Sequence, residues 1–448
     1  MPAVKSYAEI NEKIKNRQAV VMTAEEVKKY IREQGIARTV EKIDVVTTGT
    51  FGAMCSSGAF LNFGHADPPL KMEKVTLNGV PAYGGIAAAD VYIGATERAH
   101  KSKEHYSGAH VIEDLVAGKT VVLKARGKPT DCYPARSVTT EITLTDLNQA
   151  VLLNPRNAYQ RYNAAANSTQ RTIYTYMGRL LPRLGNITYS GAGELSPLNN
   201  DPDFLTIGLG THIFLGGGPG FIIGSGTQHS PETGFATLMV KGDLKTMRAE
   251  FLRGAYVHGY GSTLFVGIGV PIPILNEEIA RAVAFTDDEI KVNIVDYGIP
   301  CLKRPALKAG VSYRELKSGF VEIDGKAVRT GSISSLFMAR KIAAELKDWI
   351  GRGEFLLTEA VEPVTKNGLA KPLVVRKPEK LSVENSPARK KEKIITIDHD
   401  RCIHCELCIA QCPVQAIYKD ENGDIAIDRA KCTLCRVCTK ICSVGCLD

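Results

Sequence analysis

Two short cysteine runs near the end of this chain constrain its folding more than any other feature. Residues 402–412 follow the spacing C-x2-C-x2-C-x3-C, and residues 432–442 repeat it. Proline follows the first run at position 413, whereas Ser443 occupies the equivalent position after the second. We therefore expect residues 394–448 to form a small domain of their own.

The spacing of these cysteines is typical of iron–sulfur ligation, because three thiolates from one short turn can hold three irons of one cluster. In two-cluster ferredoxins the fourth cysteine of each run ligates the other cluster. We predict two [4Fe-4S] clusters, the first bound by Cys402, Cys405, Cys408 and Cys442 and the second by Cys432, Cys435, Cys438 and Cys412. Zinc ribbons and disulfides fit three cysteines in one run less well. The segment resembles bacterial-type two-cluster ferredoxin domains of α+β architecture, which implies transfer of low-potential electrons.

The length and charge of the chain indicate a large domain, a linker and this small domain. A chain of 448 residues suits two or three domains. The net charge of +8 is concentrated in residues 363–396, where nine Lys or Arg face three Glu and leave six of the eight charges. This basic, proline-containing composition indicates an extended linker over residues 361–393 and no nucleic-acid interface.

Nothing in the sequence predicts a membrane segment or a secretion signal. The first residues, MPAVKSYAEINEKIKN, lack a basic start followed by an apolar run. Residues 204–231 and 254–276 contain no Asp, Glu, Lys or Arg, but glycines and prolines interrupt them, which favours buried strands and turns. We expect a soluble, cytoplasmic protein without a membrane partner.

Residues 1–360 alternate between strand and helix patterns, which predicts an α/β domain. A capping box at Thr23 and Glu26 marks the start of a second helix after a first one at 6–17. Strands are predicted at 43–48, 91–95, 120–125, 138–144, 204–208, 263–268 and 291–295, and further helices at 109–117, 243–254, 276–284 and 331–349.

Thiols of the large domain are the first candidates for chemistry. Cys55 follows an apolar strand, at what we expect to be the first turn of a helix, where unpaired N–H groups favour a thiolate. The pattern is equally compatible with a buried, unreactive thiol. Cys132 lies between two prolines in an electropositive loop, where functional residues are common. Cys301 is interpreted as structural, and Cys446, outside both runs, as a spare thiol.

A glycine-rich stretch at 208–230 offers many backbone N–H groups, which could cradle an anion or simply permit close packing. It matches neither the P-loop nor the dinucleotide-binding pattern. For His212, His229 and His258 a hydrogen-bonded core position is the preferred interpretation.

The segments TTGTFGAMCSSGAFLNFGH, PTDCYPAR, GGGPG and GTQHSPETG resemble the homocysteine biosynthesis family over about residues 10–360. The resemblance implies sulfurtransferase activity: reductive sulfur incorporation into L-aspartate 4-semialdehyde to give L-homocysteine, with sulfide or a persulfide as sulfur donor. It implies Cys55 and Cys132 as the catalytic thiols, one of them carrying a persulfide. A low-potential donor would supply electrons through the ferredoxin domain.

Two other functions remain compatible with the residues. The chain could be a ferredoxin-linked oxidoreductase of another small substrate, with Cys55 and Cys132 as a redox dithiol, or a non-catalytic electron carrier for a partner enzyme. Candidates for binding an amino-acid substrate are Arg126, Arg136, Asp90 and Glu194, which the sequence does not distinguish. Whether the two thiols converge in the fold is the most informative structural question.

Overall fold

A computed structural model describes residues 5–99, 105–374, 394–402, 404–442 and 446–447. The chain divides into two compact units, Met1–Lys371 and Pro372–Asp448. Most of the linker expected at 361–393 lies outside the described residues. At its beginning the chain still packs against the first unit, because Glu362–Pro363 pair with Gly208–Leu209.

The first unit contains both helices and strands, and the prediction of a mixed domain is confirmed. Its helices are α1 (Tyr7–Lys15), α2 (Ala24–Lys42), α3 (Gly108–Val116), α4 (Pro197–Asn200), α5 (Glu277–Ala282), α6 (Tyr313–Lys317) and α7 (Leu336–Gly351). Its strands are β1 (Val21–Thr23), β2 (Val45–Thr47), β3 (Thr50–Ala53), β4 (Gly58–Asn62), β5 (Lys74–Leu77), β6 (Val80–Ala87), β7 (Asp90–Gly94), β8 (Val121–Arg126), β9 (Ser137–Ile142), β10 (Gln149–Asn157), β11 (Ala164–Ala166), β12 (Ile173–Thr175), β13 (Gly178–Leu180), β14 (Ile187–Tyr189), β15 (Gly208–Leu209), β16 (His212–Leu215), β17 (Gly218–Ser225), β18 (Leu238–Asp243), β19 (Leu252–Val257), β20 (Gly261–Gly269), β21 (Pro271–Pro273), β22 (Lys291–Asp296), β23 (Ala306–Ser312), β24 (Phe320–Ile323), β25 (Lys326–Ser332) and β26 (Glu362–Pro363).

A large antiparallel sheet forms the body of this unit, in the order β19-β20-β16-β17-β18-β10-β4-β7-β6-β5-β8-β9. Strand β3 also pairs with β20, so the short connection from β3 to β4 joins two distant parts of the sheet. The sheet must therefore curve back on itself. Apolar residues of β4, β10, β18 and β20 are almost fully buried in the core of this unit.

A second, six-stranded sheet packs beside it in the order β23-β22-β11-β14-β25-β24, with parallel pairs β11–β22 and β14–β25. Helix α7 covers β3 and β20 of the large sheet through Ile342 and Leu346, which are completely buried with Phe214 and Phe251. Burying an aliphatic side chain of this size contributes ~1.5–3 kcal/mol. The helix thereby fixes the β3–β4 connection in place.

Capping at the helix starts follows the sequence signals. Thr23 accepts a hydrogen bond from the backbone N–H of Glu26, whose carboxylate accepts one from the N–H of Thr23. The reciprocal pair satisfies two N–H groups that the helix leaves without partners. The predicted start of α2 is therefore confirmed.

Three predicted elements are wrong. Residues 243–254 form short 3-10 turns and the start of β19, because the N–H of Arg248 donates to the carbonyl of Gly216 across the turn between β16 and β17. The helix expected at Cys55 is strand β4, whose residues from Ala59 to Asn62 alternate in burial. Residues 204–207 also lack strand pairing, since three of their N–H groups donate to the buried carboxylate of Asp201.

The second unit contains α8 (Leu407–Ala410), β27 (Ile417–Lys419), β28 (Ile425–Ile427) and α9 (Val437–Ile441). The two strands form an antiparallel hairpin. Buried side chains of Ile395, Ile417 and Ile425 form a small core together with the cysteines of both runs. The expected α+β class is confirmed.

Candidate functional site

Cys55 lies in the tight turn that joins β3 to β4. The carbonyl of Met54 accepts hydrogen bonds from both the N–H and the hydroxyl of Ser57, at 3.1 and 2.8 Å, and these close the turn. The N–H of Met54 donates to the carbonyl of Leu264 in β20. The backbone on both sides of Cys55 is therefore held by the sheet, while its own side chain is half-buried.

Gly58 ends this turn because a larger residue does not fit there. A Cβ at this position would lie 2.2 Å from the hydroxyl oxygen of Tyr92 and 2.7 Å from the carbonyl oxygen of Ile93. Both distances are well inside van der Waals contact, and the second involves backbone that cannot rotate away. The glycine lets β4 approach β7 closely and so sets the position of the Cys55 turn.

Cys55 opens into a cavity of about 350 Å³ between the large sheet and the second sheet. Its lining comes from the ends of β3 and β10, the β12–β13 hairpin, the β17–β18 connection and the β19–β20 turn. Beside the thiol it presents Arg156, the phenols Tyr159, Tyr162, Tyr176 and Tyr260, and the polar side chains Gln228 and Thr263. The volume suits a small metabolite.

Burial disfavours ionisation of three of the phenols that line this cavity. Burial raises the pKa of Tyr159 to about 12, although the positive charge of Arg156 opposes the shift. Burial likewise raises the pKa of Tyr162 and of Tyr260 above the ordinary value. The hydroxyl of Tyr176, which also lines the cavity, and the hydroxyl of Tyr297 hydrogen-bond each other at 2.8 Å. At neutral pH Tyr159, Tyr162 and Tyr260 therefore remain protonated and offer O–H donors and aromatic faces.

Arg156 is the only charged side chain among the described residues that line the cavity. It lies near the end of β10, where its backbone N–H donates to the side-chain oxygen of Asn154 at 3.2 Å. Its charge acts on Tyr159 and Tyr260, the same two phenols on which Cys55 acts, so the thiol and the guanidinium face a common space. Arg156 was not among the residues that the sequence pattern singled out. The available signal was its place near the end of a strand, two positions before the start of the tyrosine-rich segment AYQRYN.

Cys132 lies in the exposed loop between β8 and β9. Its sulfur is 3.5 Å from the hydroxyl of Thr130, and the N–H of Tyr133 donates to Thr130 to close the turn. The predicted loop position is therefore confirmed.

The sheet register separates Cys132 from Cys55. Arg126 lies at the end of β8. The strand register through β5, β6 and β7 aligns it with Phe60 in β4. Four strand spacings of ~4.8 Å lie between them along the sheet. The Cys132 loop leaves the sheet toward the Asn62 end of β4, whereas Cys55 precedes the opposite end. The two thiols are thus far outside the ~4.4–6.8 Å Cα range of a disulfide.

The other sequence candidates have structural partners or lie on the surface. Both ring nitrogens of His229 contact backbone groups of Thr237 and Thr365, and His212 stacks on Phe355 and bonds the carbonyl of Leu356. The core interpretation is wrong for His258, which is exposed in the β19–β20 turn. Cys301 is exposed and donates to the carbonyl of Lys303. None of Arg126, Arg136, Asp90 and Glu194 lines the cavity.

The glycine-rich stretch serves close packing. Gly216 and Gly217 both adopt positive φ values, 60° and 92°, in the two-residue turn between β16 and β17. Such a turn matches the twist of a hairpin and requires residues that tolerate the left-handed region. The C-terminal end of the glycine-rich stretch reaches the cavity, because Gln228 is one of the lining residues.

Cysteines from both runs meet in the second unit. Cys412 of the first run lines one small cavity with Cys432, Cys435 and Cys438 of the second run. The sulfur of Cys412 accepts the N–H of Ala416 at 3.2 Å. Although burial opposes the effect, such backbone N–H groups hold the pKa of the Cys412 thiol below its ordinary value, which suits a thiolate ligand. The residues present therefore fit a [4Fe-4S] cluster at this cavity.

The last cysteine of the second run lies beside the first run. The sulfur of Cys446 is 3.4 Å from that of Cys442 and also interacts with Cys402, and Cys402 interacts with Cys408. Cys446 is thus packed against predicted ligands although it lies outside both runs. The substitution at Ser443 falls outside the described residues. Among the residues described, no three His, Cys, Asp or Glu side chains converge on one metal ion.

A pocket thiol on one domain and a ferredoxin-type cysteine fold on another define an iron–sulfur enzyme. The family profile described as homocysteine biosynthesis enzyme, sulfur-incorporation matches residues 19–357, and the profile of a 4Fe-4S dicluster domain matches residues 401–446. Because the first match covers most of the chain, this protein belongs to the homocysteine biosynthesis family of sulfur-incorporating enzymes. The resemblance noted in the sequence is confirmed.

Two relatives are named L-aspartate semialdehyde sulfurtransferase. The protein from Methanosarcina acetivorans is 53% identical over 367 residues, which cover 82% of this chain and 73% of the relative. The protein from Methanocaldococcus jannaschii is 56% identical over 374 residues, or 80% and 73% of the two chains. A protein from the same organism named as the iron-sulfur subunit of that enzyme is 46% identical over 33 residues, 7% of this chain and 25% of its own. No solved structure matches this chain.

In the part of the chain that the structure describes, none of the helices has both the length and the apolar character needed to cross a bilayer.

Proposed function

We propose that this protein converts L-aspartate 4-semialdehyde into L-homocysteine by reductive sulfur incorporation at Cys55. The observation that carries the proposal is the position of this thiol, which opens into the cavity beside Arg156 and the tyrosines. The two relatives named as sulfurtransferases of this aldehyde support the substrate. The profile of the matched family supports the class of reaction.

The stoichiometry requires electrons from outside the large domain. When sulfide is the sulfur donor, the reaction consumes one aldehyde, one molecule of hydrogen sulfide, two electrons and two protons. Its products are the thiol and water. Starting from a cysteine persulfide, two further electrons and protons are needed to cleave the S–S bond and return the cysteine thiol. Two [4Fe-4S] clusters, bound by the crossed cysteine sets, would supply electrons one at a time from a low-potential donor.

Cys55 is proposed as the thiol that carries the persulfide. Its outer sulfur would add to the aldehyde carbon, while the aldehyde oxygen gains a proton and later leaves as water. The neutral phenols Tyr159 and Tyr260, on which the Cys55 thiol acts electrostatically, are placed to donate hydrogen bonds to that oxygen as its charge grows. The half-buried cavity limits the access of water to the intermediate.

Cys132 is retained as the second catalytic thiol on the family resemblance. Its exposure suits exchange of sulfur with a donor molecule. Its distance from Cys55 argues against the rival function, a redox dithiol within one chain, because such a pair has to form a disulfide.

The proposal is tested with anaerobic, cluster-loaded protein given a small-molecule persulfide as sulfur donor, L-aspartate 4-semialdehyde and a low-potential reductant. Formation of homocysteine should stop in Cys55→Ser and continue in Cys301→Ser, a matched control in which an exposed thiol outside the cavity is removed. Mass spectrometry of protein treated with a small-molecule persulfide such as glutathione persulfide, which transfers its outer sulfur and leaves as the thiol, should find the additional sulfur atom on the Cys55 peptide. Undiminished homocysteine formation by Cys55→Ser would disprove the mechanism.

A further inference from the structure

Among the described residues that line the Cys55 cavity, one side chain is charged. Arg156 lines the cavity without any Asp or Glu among the described lining residues, and no ion pair of Arg156 occurs within the described chain. Its guanidinium and the Cys55 thiol act on the same two phenols, Tyr159 and Tyr260. A half-buried arginine that has no anion of its own is prepared to bind one from a ligand.

A buried polar atom in the same cavity also lacks a partner. The hydroxyl of Thr263 lines the cavity, its residue is only 2% exposed, and its oxygen forms no hydrogen bond. A buried hydroxyl without a partner is destabilising unless a ligand or water satisfies it. Thr263 lies on β20, whereas Arg156 lies on β10, so the two groups reach the cavity from different strands. Both observations point to a polar ligand.

We propose that Arg156 binds the carboxylate of the substrate and thereby selects amino-acid aldehydes over simple aldehydes. The inference rests on the proposed function, since it names the group that orients the aldehyde toward Cys55. A guanidinium binds a carboxylate through two parallel hydrogen bonds, which fixes the direction of the attached chain. A four-carbon substrate held in this way at one end presents its aldehyde at the other.

The amino group is held by weaker contacts. No described carboxylate lines the cavity, so an ammonium group meets tyrosine faces and hydroxyl oxygens instead. Cation–π contacts of this kind contribute less than a paired, partly buried carboxylate. The carboxylate is therefore the main determinant of affinity.

The alternative role of Arg156 is to stabilise the anionic sulfur of Cys55. In that case its removal would change the rate and pH profile of Cys55 alkylation and leave ligand selectivity unaltered. In the role proposed here its removal changes selectivity. The two roles therefore differ in what they predict for ligands that lack a carboxylate.

Binding of three stable alcohols to the full, cluster-loaded chain tests the assignment by calorimetry. L-Homoserine has the carboxylate and the amine, 4-hydroxybutyrate keeps only the carboxylate, and 3-amino-1-propanol keeps only the amine. Arg156→Gln should weaken binding of the first two by about 10- to 100-fold, as loss of a charged hydrogen-bonded pair implies. It should leave 3-amino-1-propanol unchanged, and Arg156→Lys should recover part of the loss. Arg253→Gln, which removes an exposed arginine of β19, is the matched control.

The outcomes separate this inference from the proposed function. Equal binding of the carboxylate ligands by the parent and by Arg156→Gln would overturn the role of Arg156 and leave the substrate intact. Failure of the parent to bind any of the three ligands would contradict the substrate and the inference together. Retained binding with altered Cys55 alkylation in Arg156→Gln would assign Arg156 to the thiol and refute carboxylate binding. With the expected result, Arg156→Gln also raises KM for the aldehyde more than it lowers kcat.

Discussion

Lys28 is a buried lysine whose ionisation should be visible in the stability of the large domain. It is only 4% exposed, and its ammonium group donates to the side-chain oxygen of Asn200 at 2.7 Å and to the carbonyl of Val283 at 2.8 Å. Burial lowers the pKa of Lys28 to about 8, although the negative charges of Glu194 and Asp287 oppose the shift. The folded domain thus holds the proton less tightly than the unfolded chain does.

The sign of the effect follows from proton linkage. Between about pH 8 and 10.5 the unfolded state binds more protons at Lys28 than the folded state, so stability rises with pH across this window. The full contribution is about 3 kcal/mol, since each unit of pKa difference is worth about 1.4 kcal/mol. Between about pH 7 and 9.5 the gain is about 2 kcal/mol.

Comparison of the parent with Lys28→Met isolates this contribution, because the other titrating groups are shared. Guanidinium unfolding can be followed by the fluorescence of Trp349, the only tryptophan of the chain, which packs on Phe214 in the large domain. The stability difference, parent minus Lys28→Met, should rise by about 2 kcal/mol from about pH 7 to 9.5. Parallel pH profiles of the two proteins would show that Lys28 keeps its ordinary pKa and would refute the reasoning.

Three further predictions concern the Cys55 turn, the core and the cluster ligands. Gly58→Ala should destabilise the large domain by ~1–3 kcal/mol in urea unfolding and speed alkylation of Cys55, whereas Gly331→Ala, where a Cβ meets nothing, should do neither. Equal effects of the two glycine substitutions would contradict the packing argument. Ile342→Ala should cost ~2–5 kcal/mol, while Phe337→Ala on the same helix, 74% exposed, should lie within ~0.5 kcal/mol of the parent by the same measurement. Cys412→Ala and Cys435→Ala should both lose the second cluster, so the EPR spectrum of the remaining cluster should be the same in these two variants. Cys442→Ala should lose the first cluster and give a different spectrum. Matching spectra for Cys412→Ala and Cys405→Ala would instead show that each run holds its own cluster.

Secondary structure was predictable where the local signal agrees with the fold. The capping box at Thr23 marks α2 correctly, and the apolar run at 120–125 is β8 within a residue. The pattern failed at 243–254, where Leu244, Met247 and Phe251 have helical spacing and are buried. There the backbone bonds to a neighbouring turn, and this long-range contact outweighs the local preference.

The candidate site was predictable only in part. The sequence singled out Cys55 and Cys132 but placed Cys55 at a helix start, because the small residues around it also suit such a turn. The strand alternation of residues 59–62 and the lack of room beside Gly58 decide otherwise. Arg156 was missed because nothing near it in the sequence connects it to a thiol about a hundred positions earlier.

The sequence by itself determined the cysteine arrangement of the small domain, because each run places its thiols within one turn and needs little from the rest of the chain. Only the tertiary structure decided what surrounds Cys55. The thiol, Arg156 and Thr263 come from strands far apart in sequence, and the curved sheet brings them to one cavity. It also holds Cys132 away, since strand register is set by pairing across the whole sheet and not by local sequence.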